Sequence, residues 1–188
     1  MPELPEVETI VRYLRPRLRG KRILDLEIKT AGVLRDAGGG NEIRKKIIKQ
    51  KIIELERLGK NIILKLENKN YLLFHLMLTG QLLWNPVGER KHDRLVLRLS
   101  GNNKLVFNDL RRFGRCWLGA PEKLELGRDP LTIKPGEFKN LLAGKKRIIK
   151  SLLMDQKILA GIGNIYTDEI LWYAGIRPTR AAISLGPA

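Results

Sequence analysis

The chain's 188 residues include 36 Lys or Arg against 20 Asp or Glu, a formal net charge of +16; a polyanion such as nucleic acid is the leading partner class, ahead of an anionic membrane surface or plain solubility, because lysines and arginines that neutralise phosphates release counterions. No apolar run approaches the roughly 18 residues of a membrane span, and the N-terminus lacks the order of a signal peptide, so a soluble intracellular protein is expected. The length suits one well-buried domain, or one domain with a small second unit.

In MPELPEVETIVRYLRPRL, Pro5 stands where a helix can start, and Val7, Ile10, Val11, Leu14 and Leu18 follow at helical spacing. The outer face of that helix carries Arg12, Arg15 and Arg19, and Gly20 is a stop signal. From Lys21 to Gly119 the pattern turns mostly two-periodic, in RILDLEIKT, NIILKLEN, RLVLRLS and KLVFNDL, while YLLFHLML reads as a more buried strand. Turn-like stretches separate them: AGGGN, ENKN, NPVGERKHD and SGNNK. An antiparallel sandwich or barrel of about seven or eight strands, capped by the N-terminal helix, is expected. KKIIKQKIIELERLG fits strand or helix, and only its position argues for strand. The single cysteine, Cys116 in CWLGA, permits neither an internal disulfide nor a cysteine-built zinc site and reads as a buried structural thiol.

Near ELGRDPLTIKPGEF the composition changes, and FKNLLAG, RIIKSLLM and NIYTDEILWYAG then show helical spacing. The boundary is set at about Lys134, dividing a β-domain, residues 1–134, from a helical one, residues 135–188; the fold class is α+β. The last helix stops at Gly175, Ile165, Leu171 and Trp172 are read as helix core, and the chain trails off in ISLGPA, leaving a thin helical unit.

Pro2 is the sharpest chemical feature. With Met1 removed it becomes a secondary amine, and an ordinary α-amino pKa of about 8 leaves a useful neutral fraction near pH 7. Such an amine can attack a sugar's anomeric carbon, expel the base and leave an iminium. Glu3 and Glu6 lie close by and can divide proton donation and stabilisation of the cation between them. The plainer alternative is a helix lead-in with acids favourably placed at a helix N-terminus, and the residues alone lean towards it. In GIGNIY, small residues precede Asn164 at a helix start, where backbone N–H groups and the helix dipole favour a phosphate; Asn164 also suits an ordinary N-cap.

MPELPEVETI at the extreme N-terminus resembles the opening of bacterial formamidopyrimidine-DNA glycosylases, relatives of endonuclease VIII. LGK at residues 58–60, HLMLTG at 75–80, KHD at 91–93, DLRRFG at 109–114 and MDQKILAGIGNIYTDEIL at 154–171 follow in that family's order and approximate spacing. The likeness covers essentially the whole chain. It implies a helix-capped antiparallel β-sandwich, then a partial helical domain with a helix–two-turn–helix element, and DNA in the cleft between them. It further implies a bifunctional DNA glycosylase and abasic-site lyase of base excision repair. Such an enzyme removes oxidised purines (8-oxoguanine, formamidopyrimidines) through a Schiff base on the N-terminal proline, with β,δ-elimination.

Carried over by position, the resemblance makes Pro2 the nucleophile, Glu3 the general acid and Glu6 a support for the sugar or base. Lys60 becomes the proton donor or phosphate contact that assists elimination, where a lysine after a glycine would otherwise be a solvated turn residue. Phe113 becomes the wedge and Arg111 the contact to the orphaned base, filling the hole that a flipped nucleotide leaves. The family's third void-filler, commonly a methionine three residues after the histidine, is Leu78 here, with Met77 one position earlier. Leucine fills similar volume, so altered lesion preference or efficiency is expected rather than loss of activity; a register change onto Met77 is disfavoured because successive strand side chains face opposite ways. His75, otherwise a core histidine, and His92 are implied phosphate contacts; Lys157, Asn164 and Tyr166 are implied backbone contacts.

The implied partner is double-stranded DNA containing oxidised bases or abasic sites, bound by a monomeric, cytoplasmic, nucleoid-associated bacterial enzyme. No cofactor or metal is expected in this chain. Full-length relatives carry one structural zinc in a C-terminal finger that this sequence lacks, and the abrupt ending suggests a fragment that keeps its catalytic groups but binds weakly. The alternatives are a non-catalytic binder of damaged or bent duplex DNA, favoured if Met1 is retained, a basic RNA-associated protein, and an oxidised-pyrimidine glycosylase of the endonuclease VIII type.

Overall fold

A computed structural model describes residues 1–34 and 39–185. It divides into two compact units, Met1–Lys123 and Leu124–Ala188. The division falls earlier than the expected Lys134 because the segment after Lys123 is stitched to the helical part: the Gly127 N–H donates to the Gln156 carbonyl at 2.8 Å and the Arg128 N–H to the Ile158 carbonyl at 3.0 Å.

The first unit begins with helix α1, Leu4–Leu18. Val7, Val11, Leu14 and Leu18 recur at helical spacing and are all fully buried, which explains why this segment is helical although Pro16 lies inside it. Strand β1 (Ile23–Ile28) follows, then helix α2 (Gly39–Ile47). Part of α2 was expected to be the AGGGN turn, of which Ala37 and Gly38 lie outside the described residues. Ile43 and Ile47, four apart and buried at 1% and 0% exposure, supply the apolar side of α2. KKIIKQKIIELERLG is thus both things in succession: its start completes α2 and its end forms β2 (Ile52–Leu58).

Strands β3 (Asn61–Leu66), β4 (Tyr71–His75), β5 (Gly80–Trp84), β6 (Asp93–Leu99), β7 (Asn103–Asp109) and β8 (Arg115–Leu118) complete the unit. They pair antiparallel in two four-stranded sheets, ordered β1-β6-β7-β5 and β2-β3-β4-β8. Alternation selects the shared core: Ile62, Leu64 and Leu66 from one sheet meet Leu95, Leu97 and Leu99 from the other in a single buried cluster that includes α1. Phe74 and Phe107, one from each sheet, stack edge to face with ring centres 5.6 Å apart. Cys116 is buried in this core, as expected.

The second unit contains α3 (Pro135–Leu142), α4 (Ile149–Leu153) and α5 (Asn164–Tyr173), with two turns between α4 and α5. Its core is small: Ile149, Leu152, Leu153, Leu159, Leu171 and Ala182. Helix α5 ends two residues before Gly175, which takes a left-handed φ of 65° just past the helix. Of the residues read as helix core, only Leu171 is buried; Ile165 is 56% and Trp172 85% exposed. So short a unit buries one narrow stripe of α5, and apolar character alone did not say which residues face it. No helix among the described residues is long and apolar enough to cross a membrane.

Candidate active site and nucleic-acid interface

Pro2, Glu3 and Glu6 stand where α1 begins. Glu3 is the N-cap of α1 and is only 2% exposed. The Glu6 carboxylate accepts the Glu3 N–H at 2.9 Å, one arm of a capping box. Glu6 therefore acts first on its own helix end, and the plainer reading of PELPEVET holds alongside any chemical one. Pro2 is half-buried beside Glu3.

Lys60 lies in the tight turn joining β2 to β3, where Gly59 takes a φ of 60° that an L side chain would resist. At 7% exposure Lys60 is not the solvated turn lysine that a glycine-lysine pair normally signals. Burial lowers its pKa from the ordinary lysine value, with the opposing charge of Glu3 favouring the ammonium. The turn is tied to α1 by Arg57, whose side chain is 5% exposed. Its Nε donates to Glu8 at 2.8 Å and its Nη1 to the Gly59 carbonyl at 3.2 Å. Burial acts to raise the Glu8 pKa, but hydrogen bonds from Arg57 and Arg12 outweigh it and hold the carboxyl below its usual range. The helix bearing Pro2 and the turn bearing Lys60 are thus cross-braced.

His75 closes β4, and its Nδ1 accepts the Met77 N–H at 3.1 Å. His75, Asn61, Met77, Arg115 and Trp117 surround a cavity of about 240 Å³, so a histidine and an arginine face one opening.

Residues 77–79 form a turn, not a continuation of β4. The strand-alternation argument against Met77 therefore does not apply: Met77, at a left-handed φ of 53°, and Leu78 are 37% and 42% exposed on the same turn. The neighbouring loop 110–114 holds Arg111 with its guanidinium 4.9 Å from the centre of the Phe113 ring. Phe113 is 42% and Leu110 58% exposed, while Arg112 takes a φ of 59°. A left-handed non-glycine residue costs about 1–2 kcal/mol, so both loops are held against a local preference. His92 sits at the root of this loop, its carbonyl accepting the Asp109 N–H at 2.9 Å.

In the second unit, Asn164 is the first residue of α5; the N-cap is Gly163, so the expected capping role of Asn164 is not what the helix uses. Its amide instead approaches Asp168 at 3.4 Å. The preceding turn is braced by Gln156, which donates to the Met154 and Ile162 carbonyls at 2.9 and 2.7 Å and accepts the Gly161 N–H at 2.9 Å. Lys157 is exposed and bonded to Glu125 at 3.0 Å, which raises its pKa. Tyr166 is half-buried. Sequence patterning gives no sign of Arg57, Thr79, Asp109 or Gln156, whose work is polar; the last three lie inside the matched motifs, and Arg57 immediately precedes one.

Among the described residues no group of three or more His, Cys, Asp or Glu side chains is placed to hold a metal ion. These residues do not supply the zinc site that the resemblance assigns to a finger.

Family models, curated relatives and solved structures all match the chain. The family model "Formamidopyrimidine-DNA glycosylase N-terminal domain" matches residues 1–116, and "Formamidopyrimidine-DNA glycosylase H2TH domain" matches residues 126–188. The chain is 40% identical over 189 residues to the formamidopyrimidine-DNA glycosylase of Carboxydothermus hydrogenoformans, covering 98% of this chain and 70% of that protein. It is 41% identical over 197 residues to that of Moorella thermoacetica, covering 98% and 71%. A solved complex of Lactococcus lactis Fpg with DNA containing an abasic site superimposes with a TM-score of 0.87 at 29% identity, covering 98% of this chain and 71% of that one. Two antiparallel sheets led by a capping helix, a helix–two-turn–helix unit and these matches give one conclusion: the chain belongs to the formamidopyrimidine-DNA glycosylase family.

Proposed function

We propose that this protein is a base excision repair DNA glycosylase and abasic-site lyase acting on oxidised purines in duplex DNA. The observation that carries the reading is the pair of buried charged groups, Lys60 in its turn and Glu3 at the start of α1, close enough for the Glu3 charge to act on Lys60, with Pro2 preceding Glu3 in the chain. A lysine kept from water next to a carboxylate is unfavourable for folding and suited to moving protons.

With Met1 in place the Pro2 nitrogen is a tertiary amide and inert; Met1 is 45% exposed and followed by a small residue, so it is open to removal. The freed amine attacks C1′ of the damaged nucleotide, forming an N–C1′ bond as the bond to the base breaks. The base leaves carrying the proton that the Pro2 amine gives up on attack, and Glu3 delivers a proton to the sugar ring oxygen, opening the ring to an iminium. Loss of a C2′ proton then expels the 3′ phosphate, and elimination of the 5′ phosphate follows, with Lys60 holding the phosphate or supplying the proton. Glu6 steadies Glu3. His75 and His92 contact phosphates, as do Lys157, Asn164 and Tyr166 in the second unit. Phe113, Leu78 and Arg111 fill the space the damaged base vacates. The net charge of +16 supports binding to duplex DNA; the protein acts as a monomer on nucleoid DNA in the bacterial cytoplasm.

The test is covalent trapping. The chain, with Met1 shown by mass spectrometry to be absent, is incubated with an 8-oxoguanine duplex and borohydride, and the adduct is mapped. An adduct on Pro2 is expected. Absence of any adduct on the processed protein refutes the reading and leaves a non-catalytic binder of damaged duplex.

A further inference from the structure

Asp109 belongs to none of the groups assigned to chemistry or DNA contact, yet every polar group it has is used. It ends β7, is 1% exposed and pairs with Gly80 at the start of β5. Its N–H donates to the His92 carbonyl at 2.9 Å, and its carbonyl accepts Arg94 Nε at 2.8 Å. Oδ1 accepts the Thr79 hydroxyl and, at 3.2 Å, the Arg111 N–H, which also donates to Thr79 Oγ1 at 3.1 Å. Oδ2 accepts the Gly114 N–H at 2.7 Å. A Cβ at Gly114 would lie 2.5 Å from the Phe107 ring, so that close approach requires glycine.

These bonds join two loops of different origin. Thr79 ends the turn bearing Met77 and Leu78; Arg111 and Gly114 bracket the loop bearing Phe113. We propose that Asp109 is a positioning residue for base eversion: through Thr79 its carboxylate latches the Leu78 turn to the Arg111–Phe113 loop, so that all three void-filling side chains enter the duplex as one rigid piece. This rests on the glycosylase reading above. Two loose loops would each lose conformational freedom on insertion, and latching them beforehand removes that cost from the binding step. The chemistry demands a carboxylate. Three donors converge on it, and only an ionised acid presents acceptors alone; an asparagine would turn an N–H₂ group against one of those donors.

The experiment compares two substrates using the full chain with Met1 removed. One is an 8-oxoguanine duplex carrying 2-aminopurine opposite the lesion, which demands insertion. The other is a single-stranded oligonucleotide with a preformed abasic site, which has no helix to invade. Asp109→Asn and Thr79→Val are expected to lower the ratio of duplex excision rate to single-strand trapping rate roughly tenfold or more, and to slow the 2-aminopurine signal in step. Thr79→Ser, which keeps the hydroxyl, should restore the ratio. A protein merely destabilised by the changes would lose both rates together. If Asp109→Asn does not fold, Thr79→Val decides the matter alone; an unaltered ratio in folded Thr79→Val overturns the latch. Failure of the unmutated chain to trap either the 8-oxoguanine duplex or the abasic site refutes the glycosylase reading and the latch with it.

Discussion

Replacing Arg57 with methionine keeps the packing of the side-chain stem and removes the guanidinium that braces α1 against the β2–β3 turn. Two hydrogen bonds go, the 2.8 Å bond to Glu8 and the 3.2 Å bond to the Gly59 carbonyl. Breaking a buried ion pair costs about 3–5 kcal/mol because the surviving charge is stranded. Glu8 is not so badly placed: its side chain is 19% exposed and it retains Arg12 at 2.8 Å. A loss of about 2–3 kcal/mol is therefore expected, or roughly 5–10 °C in Tm for a chain of this size. Thermal unfolding followed by far-ultraviolet circular dichroism measures it, alongside Glu8→Gln and the double variant. The cycle should show a coupling of about 1–2 kcal/mol. A loss under about 0.5 kcal/mol, or additive single effects, would refute the brace. The same variant should slow trapping at Pro2, since the displaced turn carries Lys60.

Lys60→Met should cripple strand cleavage by elimination, measured on a duplex with a preformed abasic site, yet leave Tm at pH 7 unchanged or higher. The folded-state pKa of Lys60 is lowered, so the cost of burying its charge is fully present below that pKa and fades as pH rises through it. The variant's advantage in Tm should therefore shrink between neutral and alkaline pH, and a clearly lower Tm at pH 7 would contradict the burial argument. Leu171→Ala should cost about 2–5 kcal/mol, whereas Trp172→Ser, one residue away and 85% exposed, should stay within about 0.5 kcal/mol. Urea denaturation separates them, and equal losses would mean that Trp172 has a packing partner in solution.

The sheets were legible because one face of each strand is buried: Leu95, Leu97 and Leu99 alternate with residues that face the other way, and alternation is what a two-sided sheet writes into a sequence. Helix α1 was legible for the same reason at a different period. Pro2, Glu3 and Lys60 could be found because they sit in contiguous motifs, but their residues alone did not separate a capping box from a catalytic centre, and the structure contains the capping box. Polarity patterns could not show that Lys60 is buried, since a glycine-lysine turn is normally wet. Nor could they reveal the turn at residues 77–79. HLML is apolar enough for a strand, but β4 ends at His75, Met77 takes a left-handed φ in the turn that follows, and the far end of that turn is tied through Thr79 to Asp109, thirty residues away. Trp172 misled for the opposite reason: hydrophobicity records what a side chain would prefer, not whether a small unit has room for it.

The fully buried Cys116 has a bearing on how such a protein fares where it is needed. The oxidants that damage guanine also attack thiols, but they do so through exposed thiolates. This chain's single sulfhydryl lies between the two sheets opposite Phe74. Peroxide can reach it only after the sheets part, so a repair protein with this core keeps its thiol reduced for as long as it stays folded. The rate at which a thiol reagent labels Cys116 is accordingly a direct reading of how often the sandwich opens.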